Sequence, residues 1–166
     1  MADFEKIIVD TLRGKVPDRA IPWIVGQSAH ETAGWKSNVF KRNNNAFGMV
    51  HPRRRQTTSL GPGPARQPGS EGGSAYASYS DVAQSTEDLV LWLKYNKINW
   101  DNINTAEDYV KWIKSKNYFT APLEKYTNSV LKWIKQLNTK VPVAVPMVGI
   151  SLLLIAVLFY LNRGSA

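Results

Sequence analysis

The stretch WIVGQSAHETAGW, residues 23–35, is the part of the chain from which the fold can be read most directly. Pro22 suits the first turn of a helix, where its missing N–H costs nothing, and Gly34 is placed to end that helix. The spacing predicts a helix with Glu31 in its last turn, next to the buried face. Apolar or small side chains recur at the three- and four-residue spacing of one helix face: Ile21, Ile24, Val25, Ser28, Ala29 and Thr32.

Glu31 occupies a position that disfavours its ionised form. The C-terminal end of a helix carries partial negative charge, and partial burial against Trp35 would raise the pKa of the carboxyl further. A carboxylic acid that stays protonated near neutral pH can protonate the leaving oxygen of a glycoside. On position alone, a solvated glutamate without a special role is the commoner alternative.

Four short motifs bear on whether Glu31 is a catalytic acid or a solvated glutamate. Residues 27–35, QSAHETAGW, resemble the "AQAxxES-W" signature of the bacterial glucosaminidase family, the flagellar-rod and autolysin type of peptidoglycan hydrolase in the lysozyme superfamily. Residues 45–49, NAFGM, resemble its "NLFGI" element, and residues 118–122, YFTAP, its "YATDP" element. Residues 79–85, YSDVAQS, resemble the "Y-S-x-x-x-S" run that leads into the next helix. The matches follow the family's order over roughly residues 4–137, which makes them stronger together than singly.

The resemblance implies an enzyme that cleaves β-1,4 glycosidic bonds of peptidoglycan without a cofactor. The reaction could be that of a β-N-acetylglucosaminidase, a muramidase or a lytic transglycosylase. Glu31 would be the general acid by direct match to the family's glutamate. Tyr118 matches a tyrosine that helps to position water or the developing cation. Substrate binding is expected at Asn45, Phe47, Gly48, Trp35 and Tyr79. For the first three of these, a purely structural turn is an equal alternative.

The second catalytic group is less well defined. Both standard hydrolytic routes use two carboxylates at a defined separation, and some family members place an acid in the hairpin lobe. Residues 49–80 hold only Glu71, inside a glycine-rich segment, so Glu71 is the candidate second acid. Alternatively, the substrate or Tyr118 does this work, as in single-glutamate transglycosylases and substrate-assisted enzymes, or the activity is weak.

Composition limits the remaining classes of protein. The 166 residues suit one domain with an appendage, and the absence of cysteine excludes disulfides. The net charge of +8 favours polyanions: nucleic acid, anionic lipid or acidic wall polymers. Nothing resembles a nucleic-acid-binding motif, and the two histidines lack metal-site spacing, so neither nucleic acid nor a metal is expected. Residues 53–55, three arginines, indicate either a solvated loop or a contact with an anionic polymer or lipid headgroups.

The predicted fold is mainly α, an α+β lysozyme-like domain over residues 1–138. Helices are predicted over residues 1–13 and about 122–137, and after the N-cap candidates Ser85 and Thr105. Residues 47–50 and 75–79 are predicted to form a small β-hairpin lobe whose tip, about residues 52–74, is a mobile Gly/Pro-rich loop. Glu31 would lie at the floor of the cleft between the two lobes.

The end of the chain has a different character. Residues 141–161 are 21 uncharged residues, which as a helix reach about 31 Å, enough to cross a bilayer. We therefore predict a linker over residues 139–146 and a C-terminal transmembrane helix over residues 147–162. Three lysines precede this segment and only Arg163 follows it, so the positive-inside bias favours a cytoplasmic N-terminal domain.

A wall hydrolase on the cytoplasmic side, without the basic start and apolar run of an N-terminal signal peptide, presents a conflict. A membrane-containing bacteriophage resolves it, because its virion would carry the anchored lytic enzyme to the wall from outside. The expected partners are then peptidoglycan, the lipid membrane and other virion proteins. The alternatives are a cellular enzyme anchored in the bacterial inner membrane, a catalytically silent structural or glycan-binding relative, and a basic membrane protein that binds lipid or nucleic acid.

Overall fold

The computed structural model describes residues 3–64 and 75–137. This part of the chain is mainly helical and carries a two-stranded antiparallel sheet, as the sequence predicts. Short 3-10 turns lie at Asp18–Ala20 and Trp100–Asn102. The helices are α1 (Phe4–Leu12), α2 (Ile21–Glu31), α3 (Asn38–Asn43), α4 (Val82–Tyr95), α5 (Ala106–Ser115) and α6 (Leu123–Leu137), and the strands are β1 (Gly61–Pro62) and β2 (Ala77–Ser78).

Helix α2 is the central element, and its boundaries confirm the prediction of a helix with Glu31 in its last turn. It packs against α1 and most extensively against α6, while α1 packs against α4. Gly26 permits the close approach to α6, because a Cβ built there would lie 2.6 Å from Ile134 Cγ1. The buried face of α2 consists of Ile21, Ile24, Val25, Gly26, Gln27, Ser28 and Ala29.

The helix caps agree only partly with the sequence prediction. Thr105 caps α5 and forms a capping box with Asp108, as predicted. The prediction that Ser85 caps α4 is wrong by one turn, because the cap is Asp81, whose carboxylate accepts a hydrogen bond of 2.8 Å from Gln84 N. Ser85 is instead buried within α4 and its Oγ accepts a bond of 2.9 Å from Ala46 N. This bond ties α4 to the turn after α3.

The sheet uses a different first strand from the one predicted. Residues 75–79 do contain β2, but its partner is β1, with Gly61 opposite Ser78 and Pro62 opposite Ala77. Residues 47–50 form no strand and contribute an isolated antiparallel bridge between Val50 and Tyr76, flanked by a hydrogen bond of 2.9 Å from Ala77 N to Met49 O. The side chain of Asn45 donates to Met49 O at 2.7 Å and holds residues 45–49 as a turn. Helix α3 also lies in a stretch where no helix was predicted.

The described part of the predicted mobile loop, residues 52–64, is tied to α4. Arg55 forms a bidentate ion pair with Asp88, with Nη1–Oδ1 at 2.6 Å and Nη2–Oδ2 at 2.8 Å, and the two side chains are 7% and 0% exposed. Thr58 adds a hydrogen bond of 2.6 Å to Gln84 O. Burial alone would raise the pKa of Asp88, but hydrogen bonds from Arg55, Tyr79 and Thr57 outweigh it and lower the pKa. Arg55 therefore has a structural role, which neither interpretation of the arginine run anticipated.

Three of the predictions fall outside the described residues: the second acid Glu71, the linker over residues 139–146 and the membrane helix over residues 147–162. Within residues 3–64 and 75–137, none of the helices has the length and apolar character needed to cross a bilayer. The predicted anchor stays a prediction.

Candidate active site

The chain reverses sharply directly after Glu31. Ala33, Gly34 and Trp35 all have left-handed backbone, with φ values of 51°, 68° and 62°. Thr32 secures the reversal, because its Oγ1 donates to Ser28 O at 2.7 Å and accepts from Trp35 N at 2.8 Å. Two non-glycine residues in this region, Ala33 and Trp35 on either side of Gly34, store backbone strain, which is frequent beside functional sites.

Trp35 folds back on the last turn of α2. Its indole N–H donates to Ser28 Oγ at 3.0 Å, and Ser28 Oγ in turn donates to Ala46 O at 2.8 Å. The ring is partly buried, so part of the surface predicted to bind substrate stays accessible. These bonds join the end of α2 to the 45–49 turn.

The 45–49 turn brings backbone directly against the Glu31 carboxyl. Gly48 has φ +63°, and a Cβ built on it would lie 3.0 Å from Glu31 Oε2. Asn45 is fully buried and shapes this turn, since its Oδ1 accepts from Met49 N at 3.1 Å. The ring of Phe47 is also fully buried. Of the three residues, only Gly48 is placed to face a ligand, and Asn45 and Phe47 form the structural turn that was the alternative.

Tyr126, on the first turn of α6, donates a hydrogen bond of 2.5 Å to Glu31 Oε1. Its side chain is 3% exposed and its ring stacks on Phe119 with centroids 3.7 Å apart. The ring of His30 meets Tyr126 edge-on at 4.4 Å, and His30 Nδ1 is 2.7 Å from Ser129 Oγ. Tyr126 is therefore fixed on two sides while it contacts the carboxyl. His30 lies in the wall of the site.

Burial raises the pKa of Glu31 from 4.5 to about 7, and the hydrogen bond from Tyr126 only partly opposes this shift. Within the described residues, no second carboxylate contributes to the shift. Glu31 lies among tyrosines whose pKa values are raised by their own burial and then by the Glu31 charge: Tyr76, Tyr109, Tyr118 and Tyr126. A neutral carboxyl at mild pH suits such surroundings, which offer few groups to stabilise its charge.

Tyr118 lies in the same region but does not hydrogen-bond to Glu31. Its hydroxyl donates to Phe47 O at 2.6 Å, and its ring meets Trp92 edge-on at 4.9 Å. Glu31 is nonetheless close enough for its charge to raise the pKa of Tyr118, after burial as the larger cause. Tyr118 is thus bonded to the same turn whose Gly48 lies close to Glu31. For Tyr118 to contact substrate through its hydroxyl, this backbone bond must be shared or broken.

Tyr79 does not fit the prediction that it binds substrate directly. It is 2% exposed, and its hydroxyl donates to Asp88 Oδ2 at 2.7 Å. Tyr79 thereby completes the buried Arg55–Asp88 pair and acts as a structural residue. The motif that singled it out leads into α4, where packing is the simpler explanation.

A cavity of about 360 Å³ opens beside Gly48 and Tyr118. We call it the basic cavity. Its volume falls within the usual range for ligand sites. Glu31 does not itself line the basic cavity, but the lining residue Gly48 lies close to it, since a Cβ built on Gly48 would be 3.0 Å from Glu31 Oε2. Its remaining lining consists of Met49, Val50, Pro52, Arg54, Arg55, Trp92, Tyr95, Asn96, Lys116 and Asn117.

Three features of this site were not predicted from the sequence. Tyr126 lies on an inward-facing position of the last helix, and the packing of that helix on α2 is the signal that could have placed it near Glu31. Tyr76 and the basic cavity depend on how the small sheet folds over the 45–49 turn, which no local pattern reveals. In the part of the chain that the structure describes, no cluster of His, Cys, Asp and Glu could hold a metal ion.

Comparison with known proteins assigns the chain to a family. Residues 20–139 match the glucosaminidase family, described as mannosyl-glycoprotein endo-β-N-acetylglucosaminidase, and this match spans more than half of the sequence. The chain belongs to the glucosaminidase family. Membership implies a glycosidase that acts on peptidoglycan and confirms the resemblance seen in the four motifs. Among curated proteins, none matches this chain at a significant level.

Two solved structures resemble this chain. One is a chain of a type VI secretion system effector–immunity complex from Pseudomonas protegens, at 10% identity and a TM-score of 0.53, with 81% of this chain and 94% of that chain covered. At that identity the similarity concerns the fold alone. The other is the catalytic domain of the autolysin Auto from Listeria monocytogenes, at 17% identity and a TM-score of 0.49, with 83% and 86% covered.

Proposed function

We propose that this glucosaminidase cleaves β-1,4 glycosidic bonds of peptidoglycan with Glu31 as the general acid. The observation that carries the proposal is the environment of Glu31, where burial raises the pKa of the carboxyl to about 7 beside an accessible cavity. A general acid works best when its pKa lies near the operating pH, because it is then both protonated and able to give up the proton.

The chemistry follows from the contacts of the two carboxyl oxygens. Protonated Glu31 gives its proton to the leaving oxygen as the glycosidic C–O bond breaks, and the sugar carbon takes on oxocarbenium character. Glu31 is then a carboxylate, and the Tyr126 hydroxyl donates to its Oε1. This hydrogen bond stabilises the ionised form, so Tyr126 assists the step in which the proton leaves. Water or a hydroxyl of the sugar then completes the reaction at the anomeric carbon.

The second group in this proposal is Tyr118 or the substrate itself. Within the described residues, no other carboxylate shifts the pKa of Glu31, and Glu71 lies outside them. A route that uses the 2-acetamido group of the substrate needs only one protein carboxyl. Mass spectrometry of the released fragments separates the outcomes, because glucosaminidase and muramidase cleavage leave different reducing ends and transglycosylase cleavage leaves an anhydro sugar.

The direct test compares wild type with Glu31→Gln on purified peptidoglycan. Loss of turbidity and release of soluble fragments should fall by about 100-fold or more, since a positioned general acid contributes on that order. The amide keeps the size of the side chain but has no proton of suitable acidity. Equal rates in the two proteins would remove Glu31 from the mechanism.

A silent, glycan-binding relative is the second candidate. It is favoured by the Tyr118 hydroxyl, which is already bonded to Phe47 O, and by the absence of a second carboxylate near Glu31 in the described residues. Such a protein would bind peptidoglycan in a pull-down assay and release no fragments from it.

We further propose that the enzyme acts from the virion of a membrane-containing bacteriophage, anchored through residues 147–162. Support comes from the uncharged span over residues 141–161 and from the lysines that precede it. Protease treatment of intact, uninfected cells that express the chain tests this placement. Protection of the N-terminal domain agrees with it, whereas digestion from the periplasmic side favours a cellular enzyme of the inner membrane.

A further inference from the structure

The basic cavity contains two cations for which the described residues, 3–64 and 75–137, supply no acidic partner. Arg55 is paired with Asp88, but its neighbour Arg54 forms no ion pair or hydrogen bond with the rest of the described chain. Lys116 Nζ has no acidic partner there either and lies 5.7 Å from the centroid of the Trp112 ring. Because the fold pairs Arg55 and leaves these two free, the cavity presents net positive charge.

The other lining residues leave that charge uncompensated. None of the twelve residues that line the cavity is acidic. Trp92 and Tyr118 form an aromatic wall, and Tyr95, 62% exposed, stands at the rim. An aromatic wall suits the apolar face of a sugar or a methyl group, while the cations suit an anion beside it. The lining is therefore complementary to a sugar ring that presents an apolar face and carries a carboxylate.

We propose that the basic cavity is a subsite for the carboxylate-bearing side of the glycan, with Lys116 and Arg54 as the residues that select it. The inference rests on the proposed function and deepens it, because it names the part of the substrate that the protein recognises next to Glu31. In peptidoglycan, carboxylates occur on the stem peptide and, where no peptide is attached, on the lactyl ether of muramic acid, because an attached peptide converts the lactyl carboxyl into an amide. Each is an anion held close to a sugar ring.

The proposal implies a direction for the substrate. Gly48 lines the cavity and lies close to Glu31 Oε2, so a sugar at the acid would have its neighbour, or its substituent, in the cavity. Selection by charge at this point would favour wall glycan over a neutral glycan of the same linkage.

The test measures binding, so that it does not depend on cleavage. Fluorescently labelled soluble glycan–peptide strands are titrated with full-length Glu31→Gln protein that also carries Lys116→Gln or Arg54→Gln, and anisotropy gives the Kd. Matched controls are Lys111→Gln, on α5, which ends directly before Lys116, and Arg53→Gln, neither of which lines the cavity. Each variant is checked by circular dichroism, and the long neutral side chain preserves the packing of the stem.

The same strands, with their carboxylates converted to methylamides, provide the decisive comparison. We expect each cavity variant to weaken binding of the unmodified strands by about three- to tenfold, and the controls to bind like the parent. The methylamide strands should bind the parent protein weakly, with no further loss in the cavity variants. Unchanged binding in both cavity variants, or an equal loss on both substrates, would overturn the proposal.

Amidase-treated strands, in which removal of the peptide frees the lactyl carboxylate, identify the source of the anion. If the Lys116→Gln effect persists on them, the cavity recognises the lactyl carboxylate of peptide-free muramic acid, and if it disappears, the cavity recognises the stem peptide. Absence of cleavage by wild type would count against the proposed function only, while a cavity that ignores the carboxylate would count against this inference only.

Discussion

Glu31 combines two opposing influences in one side chain. Burial raises its pKa to about 7, whereas the hydrogen bond from Tyr126 favours the ionised form and lowers it. The balance suits a group that must hold a proton in the resting enzyme and release it during bond cleavage. Tyr126 is thus the residue through which the strength of the acid can be adjusted.

Replacing Tyr126 with Phe should therefore raise the pKa of Glu31 above its present value. The bond that stabilises the carboxylate is lost while the burial that opposes ionisation stays. In the pH dependence of kcat/KM, the alkaline limb should move to higher pH, and the maximal rate should fall because the leaving proton is held more tightly. An alkaline limb that stays in place or moves to lower pH would contradict this role for Tyr126.

At this scale the sequence predicted Glu31 well and its surroundings poorly. The helix periodicity and Gly34 place the carboxyl at the end of α2, and the structure confirms that position. The contact with Tyr126 spans 95 positions of the chain and arises from the packing of α6 on α2. Such a contact leaves no trace in local spacing.

The element that positions the basic cavity is the 52–64 segment, which is held to α4 by Arg55. Removing this cation leaves the Asp88 carboxylate buried and without its main partner, a loss that typically costs about 3–5 kcal/mol. The Arg55→Met variant should show that loss in urea unfolding at neutral pH, while Arg53→Met should unfold like wild type.

The free energy of unfolding that Arg55→Met loses should also depend on pH in a defined direction. The folded-state pKa of Asp88 is lowered, so the stability it provides is present above its unfolded pKa and is lost as the pH falls through the folded value. The difference between wild type and Arg55→Met should accordingly shrink in acid. A difference that is small at neutral pH would show that the ion pair does not hold this segment.

Elements with strong local patterns were predicted correctly, and those fixed by side-chain bonds to distant backbone were not. Thr105 with Asp108 is a self-contained capping box, so α5 could be read from the sequence. The first strand could not, because Asn45 holds residues 45–49 as a turn through bonds to Met49 O and Ala77 O at 2.7 and 3.0 Å. Strand β1 then comes from a Gly/Pro-rich stretch whose composition indicates a loop.

For the molecule as a whole, the raised pKa of Glu31 predicts how stability varies with pH. A carboxyl with a higher pKa in the folded state contributes stability below its unfolded pKa, near 4.5, and this contribution is lost as the pH rises through about 7. The full shift corresponds to roughly 3 kcal/mol.

Glu31→Gln should therefore be more stable than wild type in mildly alkaline solution, by up to about 3 kcal/mol, and equally stable near pH 4. Chemical denaturation at a series of pH values measures this difference. A constant difference between the two proteins across the range would mean that Glu31 titrates alike in the folded and unfolded states.

The most direct test of the account is the titration of Glu31 itself. Difference infrared spectra of wild type against Glu31→Gln isolate the protonated carboxyl band of this one side chain as the pH is varied. The account predicts a band that persists above pH 6 and disappears with a midpoint of about 7. A midpoint at the ordinary glutamate value of 4.5 would contradict it, since Glu31 would then be ionised at neutral pH and unable to act as the acid.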